Sequence, residues 1–94
     1  MILLAGLTRG QACAQAVHAA GESAPFRLPK GTVAVALEAD DQAHLLELDA
    51  RLSAGGISHA LITECDGQVM AIGIEPTRDR AKIRKVTSHL RLIK

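Results

Sequence analysis

Three polar side chains are spaced along an alanine-rich stretch so that they could share one stripe of a helix. Gln11, Gln15 and His18 are separated by four and then three positions, the spacing of neighbours on a helix surface. A histidine that titrates near neutral pH can act as a general base toward a water molecule that attacks an ester. A neighbouring glutamine can orient that water or a substrate carbonyl. The stripe therefore indicates a hydrolytic site, and the alternative is an ordinary solvated helix face.

The same spacing predicts which side of this helix faces the rest of the protein. Cys13 and Val17 fall on the opposite side, among alanines. We therefore expect Cys13 and Val17 to pack against a sheet, and the three polar residues to stay accessible on one face.

The start of this helix has the features of an anion site. Thr8 is a typical N-cap residue, and Arg9 and Gly10 follow it. Free backbone N–H groups and the helix dipole attract phosphate or carboxylate there, and an arginine strengthens the attraction. The alternative is an ordinary cap beside a solvated arginine.

A second candidate for contacts with anions lies near the end of the chain. Seven Lys or Arg residues occur between positions 77 and 94 against one acid, although the formal net charge of the whole chain is only +1. Such a patch can hold an RNA backbone without reading its sequence. The alternative is the solvated face of an amphipathic helix. The residues predicted to contact RNA are Arg78, Arg80, Lys82, Arg84 and Lys85.

Length and composition limit the classes of protein to consider. Ninety-four residues predict a single domain over 1–94. Phe26 is the only aromatic residue, which argues against nucleic-acid binding by base stacking. The two cysteines and four histidines match no metal-ligand spacing, so no metal or cofactor is expected. No stretch is long enough for a membrane span, and the predicted location is the cytoplasm.

The elements that must position these residues alternate between strands and helices. Apolar runs predict four strands, at "MILLAG", "TVAVALEA", "ISHALITE" and "VMAIGIE". The first helix should end near Gly21, the second should run from an Asp40 cap to about Ser53, and Pro76 and Thr77 should open a third. A two-residue hairpin turn is predicted at Asp66-Gly67, between the third and fourth strands. The predicted order is βαβαββα.

Right-handed crossovers place the first two helices on opposite faces of the sheet. We therefore predict an α/β fold, a three-layer α/β/α sandwich. Its four-stranded mixed sheet has the order 2-1-4-3, with the fourth strand antiparallel. Ligands of such sheets bind outside the carboxyl ends of the parallel strands. Those ends include the start of the first helix and Glu64, at the end of the third strand.

These residues and motifs resemble those of type II peptidyl-tRNA hydrolases, the archaeal and eukaryotic kind. "RGQACAQAVHAA", "GGISHALITE" and "AIGIEPTRDRAKIRKVTSHLRLIK" carry the resemblance, which covers nearly the whole chain. It implies an enzyme that cleaves the ester between a peptide and the 3′ end of a tRNA, without a metal or an organic cofactor. His18 and Gln15 match the family's helix histidine and glutamine, and Glu64 matches the family's aspartate at the end of the third strand. The candidate catalytic residues are Gln11, Gln15, His18 and Glu64.

The chain also departs from the family pattern. Gln11 stands where the family usually has a lysine thought important for catalysis, and Arg9 stands at another common lysine. The Asp66-Gly67 turn replaces a longer loop that carries an arginine and a threonine, and Leu4 stands at a usual aspartate. Three interpretations stay open: a weakened peptidyl-tRNA hydrolase, a hydrolase of a smaller ester or amide, or a non-catalytic RNA- or protein-binding module that keeps the fold. The expected partner is tRNA or another RNA backbone, and a homodimer is also considered.

Overall fold

The computed structural model describes residues 1–28 and 30–93, which form one five-stranded sheet and three helices. The elements along the chain are β1 (Ile2–Leu4), α1 (Arg9–Ser23), β2 (Leu37–Ala39), α2 (Gln42–Ala54), β3 (His59–Thr63), β4 (Val69–Ile74), α3 (Arg80–Thr87) and β5 (Arg91–Leu92). No helix in this part of the chain is long and apolar enough to cross a membrane.

The strands follow the order β3-β4-β1-β2-β5 across the sheet. β1 pairs with β2 in parallel and with β4 antiparallel, as predicted. The prediction of four strands in the order 2-1-4-3 is wrong in the number of strands, because β5 adds to the free edge of β2. Arg91 lies opposite Glu38, and Leu92 lies opposite Leu37. A strand of two residues is too short to show an alternating pattern, so periodicity does not indicate it.

Helices cover both faces of the sheet, which makes three layers. Successive residues of β1 point to opposite sides: Ile2 belongs to the core beneath α2, and Leu3 to the core beneath α1. α1 packs on β3 and β4, whereas α3 packs against α2. The two helices that carry the predicted catalytic and RNA-binding residues therefore lie on opposite faces.

The larger core lies beneath α2. Leu45, Leu48 and Leu52 are fully buried there, at the predicted helical spacing. The cap of α2 is Asp41 rather than the predicted Asp40, since the Asp41 carboxylate accepts a hydrogen bond from a backbone N–H in the first turn. The helix ends at a pair of glycines, as predicted.

α1 is rotated about its axis relative to the prediction. Cys13 and Val17 are exposed, Val17 to 71%, so the expectation that they pack on the sheet is wrong. The side that faces the sheet carries small residues with one glutamine among them. It consists of Ala12, Gln15, Ala16, Ala19 and Ser23. Small side chains let the helix backbone come closer to the strands than Val17 would allow, which explains the rotation.

Only the end of the predicted second strand pairs with its neighbours. Leu37–Ala39 form β2, whereas Val33 and Val35 lie exposed in the segment before it. Just before β2, the Met1 ammonium donates a hydrogen bond to Val35 O and the Ile93 amide donates one to Ala36 O.

Two boundaries in the second half of the chain also differ from the prediction. The hairpin between β3 and β4 has a three-residue loop rather than a two-residue turn, because the amide of Glu64 donates to Gln68 O. Gly67 takes a φ of 85° at the last loop position, where glycine is unstrained. α3 begins at Arg80, with Asp79 as its cap, rather than at Pro76 and Thr77.

Candidate active site

A hydrogen bond between α1 and the end of β3 forms the centre of the candidate site. β1 and β3 both run antiparallel to β4, so their carboxyl ends lie at the same edge of the sheet. α1 starts at that edge and passes over β3 and β4. Gln15, in its second turn, donates through Nε2 to Oε1 of Glu64 at 2.6 Å. Two candidate residues 49 positions apart in the sequence are thus in direct contact.

The two partners of this bond have different environments. Gln15 is only 4% exposed, so the expectation that it lies on an accessible face is wrong. Its Oε1 is buried and has no hydrogen-bond partner within the part of the chain that the structure describes. Glu64 is exposed. A fixed, buried donor thus orients a carboxylate that water can reach, as a general base requires.

The unpartnered oxygen of Gln15 makes its position costly. A buried acceptor without a partner destabilises a fold by about 1–3 kcal/mol. A leucine or methionine would fill this place beneath α1 without that cost, so packing does not explain the glutamine. The donation to Glu64 is the feature that a hydrophobic side chain could not supply.

Gln11 is part of the helix cap. Its backbone N–H donates to Thr8 Oγ1 at 3.2 Å, and its side-chain Oε1 accepts from the Thr8 backbone N–H at 3.0 Å. This reciprocal pair is a capping box. It confirms Thr8 as the N-cap and gives the Gln11 side chain a structural partner one turn before Gln15.

The other predicted residues of α1 are accessible. Arg9 and Gly10 lie exposed in the first turn, just beyond the carboxyl end of β1. His18 is exposed one turn after Gln15. The expectation of accessible side chains is therefore confirmed for Gln11 and His18, while Gln15 turns inward.

The basic residues in and just before α3 lie apart from this site. Arg78, Arg80, Lys82, Arg84 and Lys85 are all exposed, and the last four belong to α3, which packs against α2. Among the residues that the structure describes, none of these five pairs with a carboxylate. The structure does not bring them to Gln15 and Glu64. An RNA that contacted both the basic residues and the Gln15–Glu64 pair would therefore have to pass around the molecule.

A groove beside the start of α1 is a feature that the sequence did not indicate. It is open to solvent and has a volume of about 680 Å³ between the end of β1, α1 and β5. Leu7, Ala12 and Ile93 supply apolar walls, and Glu38 and Arg91 supply charges. Ala12 lies about one helical turn before Gln15 on α1, but neither Gln15 nor Glu64 lines the groove.

His59, on β3, has a structural role, as its position in a strand suggests. Its Nδ1 lies 2.7 Å from Ile57 O, and its Nε2 lies 2.7 Å from Asp49 Oδ1. Within residues 1–28 and 30–93, no three His, Cys, Asp or Glu side chains form a metal-binding cluster. His44 and His89, however, lie side by side, a contact between distant positions that sequence spacing could not reveal.

A comparison with known families accounts for nearly all of the chain. The family model described as peptidyl-tRNA hydrolase PTH2 matches residues 3–93. The matched range includes Gln15 and Glu64. A search of curated proteins gave no match.

Proposed function

The chain belongs to the peptidyl-tRNA hydrolase PTH2 family, and we propose that it hydrolyses the ester bond between a peptide and a tRNA. The observation that carries this proposal is the 2.6 Å hydrogen bond between Gln15 and Glu64. Both residues match positions of the family's pattern, and both come together at the sheet edge where α1 begins. The proposed setting is translation in the cytoplasm, with peptidyl-tRNA as the substrate.

In the proposed mechanism, Glu64 is the general base. Its carboxylate takes a proton from water while the water oxygen bonds to the ester carbonyl carbon. The bond from that carbon to the tRNA 3′ oxygen then breaks, and the leaving oxygen receives a proton. We assign this second proton transfer to His18, an exposed imidazole one turn after Gln15. Gln15 is a positioning residue, since it acts through Glu64.

The substrate would be held by two features near this pair. The first-turn N–H groups of α1 and the guanidinium of Arg9 suit a phosphate of the tRNA end. The groove walled by Leu7, Ala12 and Ile93 has room for the peptide that the tRNA carries. The basic residues of α3 would contact the tRNA backbone elsewhere, without taking part in the chemistry.

The deciding experiment measures release of peptide from a purified peptidyl-tRNA by the full chain. We expect Glu64→Gln to lower kcat by about 10²–10⁴, the usual contribution of a general base. The substituted amide can still accept from Gln15, so the fold should not change. Glu47→Gln is the matched control, because Glu47 is an exposed acid on α2. Wild-type activity in Glu64→Gln would overturn the assignment.

The alternative is a binding module that keeps the fold without the chemistry. It is favoured by Gln11, which replaces a lysine of the family and uses its side chain in the capping box. Binding of peptidyl-tRNA with no hydrolysis by the wild-type chain would select this alternative.

A homodimer is a further proposal, with the exposed Val33 and Val35 as its contact surface. Comparing the sedimentation of the wild type with that of Val33→Ser would test it.

A further inference from the structure

A second glutamine, from the helix on the other face of the sheet, contacts the hairpin that carries Glu64. Gln42 is the first residue of α2, and its Oε1 accepts a hydrogen bond from the backbone N–H of Val69 at 3.0 Å. Val69 begins β4 and is only 7% exposed. The pairing of β1 with β4 includes Ile72 and Ala71 but does not extend to Val69. Gln42 therefore supplies an acceptor where β1 no longer pairs with β4.

A β-bulge turns the start of β4 toward this glutamine. Ile62 lies opposite Ala71, whereas the next residue of β3, Thr63, lies opposite Val69, so β4 contains one extra residue at this point. Val69 belongs to the core beneath α2 and Ala71 to the core beneath α1, although residues two apart in a regular strand share one face. Bulges often lie beside active sites, where they redirect a strand. This bulge brings the start of β4 within reach of α2.

The loop that carries Glu64 is joined to the start of β4 by its own hydrogen bonds. The Glu64 N–H donates to Gln68 O, and the Gly67 N–H donates to Glu64 O, each at 2.9 Å. The Gln68 N–H donates to Asp66 Oδ1, also at 2.9 Å. Because Gln68 directly precedes Val69, a shift of Val69 would displace the backbone of Glu64 as well.

We propose that Gln42 is a positioning residue for hydrolysis: it fixes the start of β4, and thereby the backbone of Glu64, so that the carboxylate meets Gln15. This inference rests on the proposed function, in which Glu64 is the general base. Two glutamines from opposite faces of the sheet then hold one residue. Gln15 holds its carboxylate, and Gln42 holds the hairpin to which its backbone belongs.

The test compares two replacements of Gln42 in the full chain. Gln42→Met keeps the length of the side chain but removes the acceptor. It should lower kcat for peptidyl-tRNA by about 10–10² and leave KM unchanged, because a reacting group displaced by about 1 Å loses rate on this scale. Gln42→Glu keeps an acceptor oxygen, and its charge is favourable at a helix start. Its kcat should stay within about twofold of the wild type.

Asp49→Ala is the matched control for a general loss of stability. It removes the contact of α2 with His59, at the other end of β3 from Glu64. At a temperature where all variants are folded, Asp49→Ala should keep the wild-type kcat. The proposal is overturned if Gln42→Met also keeps it, if Gln42→Glu loses as much rate as Gln42→Met, or if Asp49→Ala does.

Amide hydrogen exchange gives a readout that does not depend on catalysis. The Glu64 N–H should exchange at least about tenfold faster in Gln42→Met than in the wild type or in Asp49→Ala, because the hairpin end opens more often. If the wild type does not hydrolyse peptidyl-tRNA, the proposed function fails and this exchange rate alone decides the role of Gln42. An unchanged rate in Gln42→Met would then show that Gln42 does not hold Glu64.

Discussion

The carbonyl oxygen of Ala19 in α1 lies directly over Gly73 in β4. A Cβ built at Gly73 would overlap that oxygen and would also lie 2.9 Å from the Cβ of Ser23. No side chain other than hydrogen fits between this helix and this strand. The contact sets the distance of α1 from the sheet, and therefore also holds Gln15 next to Glu64.

Gly73→Ala should destabilise the protein and weaken the candidate site together. Overpacking of this kind costs about 1–3 kcal/mol, and a helix displaced from β4 would also lengthen the Gln15–Glu64 contact. Urea unfolding measures the first effect, and the hydrolysis assay measures the second. Gly21→Ala is the matched control, since nothing lies within 4 Å of its added Cβ. It should stabilise α1 by about 0.5–1 kcal/mol.

Gln11→Lys should raise the rate of peptidyl-tRNA hydrolysis while lowering stability slightly. The lysine restores the positive charge that the family usually has at this position, and such a charge can stabilise a developing oxyanion. The substitution also removes the oxygen that accepts the Thr8 amide, at a cost of about 0.5–1 kcal/mol. No change in rate, together with full activity of His18→Ala, would contradict the site assignment.

The basic residues in and just before α3 should affect the binding of tRNA but not the chemical step. Each lost phosphate contact lowers the slope of log affinity against log salt by about 0.7–0.9. Replacing Arg78, Arg80 and Arg84 together by glutamine should therefore lower that slope by about 2–3 and leave kcat unchanged. Arg9→Gln should raise the KM for peptidyl-tRNA, because it removes the proposed contact with a phosphate of the tRNA end. An unchanged slope in the triple variant would exclude α3 as an RNA contact.

Asp49→Ala should destabilise the fold without affecting the site. His59 Nε2 would lose its partner at 2.7 Å, and the His59 side chain is only 9% exposed in the wild type. The expected loss is about 1–3 kcal/mol in the free energy of unfolding. Asp66→Ala, in the exposed hairpin loop, is the comparison and should cost less. Equal losses would show that the His59–Asp49 contact contributes nothing of its own.

A chelator selective for transition-metal ions should not abolish hydrolysis. The mechanism uses only side chains and water. The assay compares untreated and chelated protein, with Mg²⁺ retained for the tRNA. Complete loss of activity that Zn²⁺ restores would refute a metal-independent mechanism.

The sequence predicted the parts of the fold that rest on long apolar patterns. The leucines at 45, 48 and 52 gave the buried face of α2, and the apolar runs gave the strands that flank β1. The rotation of α1 was missed because alanines lie on both of its sides, so hydrophobicity hardly distinguishes them. What decides the rotation is the fit over Gly73, which depends on a strand distant in sequence.

The candidate site shows the same limit. Helical spacing placed Gln15 with Gln11 and His18, and it gave no reason to connect Gln15 with Glu64. That connection requires the end of β3 to lie beside α1, which only the sheet order determines. The His44–His89 contact is of the same kind, since it joins positions 45 residues apart.

The position of β1 in the middle of the sheet has a consequence for how the chain folds. Ile2 pairs with Leu37 on one side and with Ile72 on the other. Contacts between such distant positions form slowly, because the chain loses the entropy of closing a long loop before the contact stabilises it. During translation β1 is synthesised before both of its partners, and it can pair on both edges only after β4 has been synthesised. The β3–β4 hairpin is local and can form before β1 pairs with it. β1 would then add to the β4 edge of a hairpin that was synthesised after it.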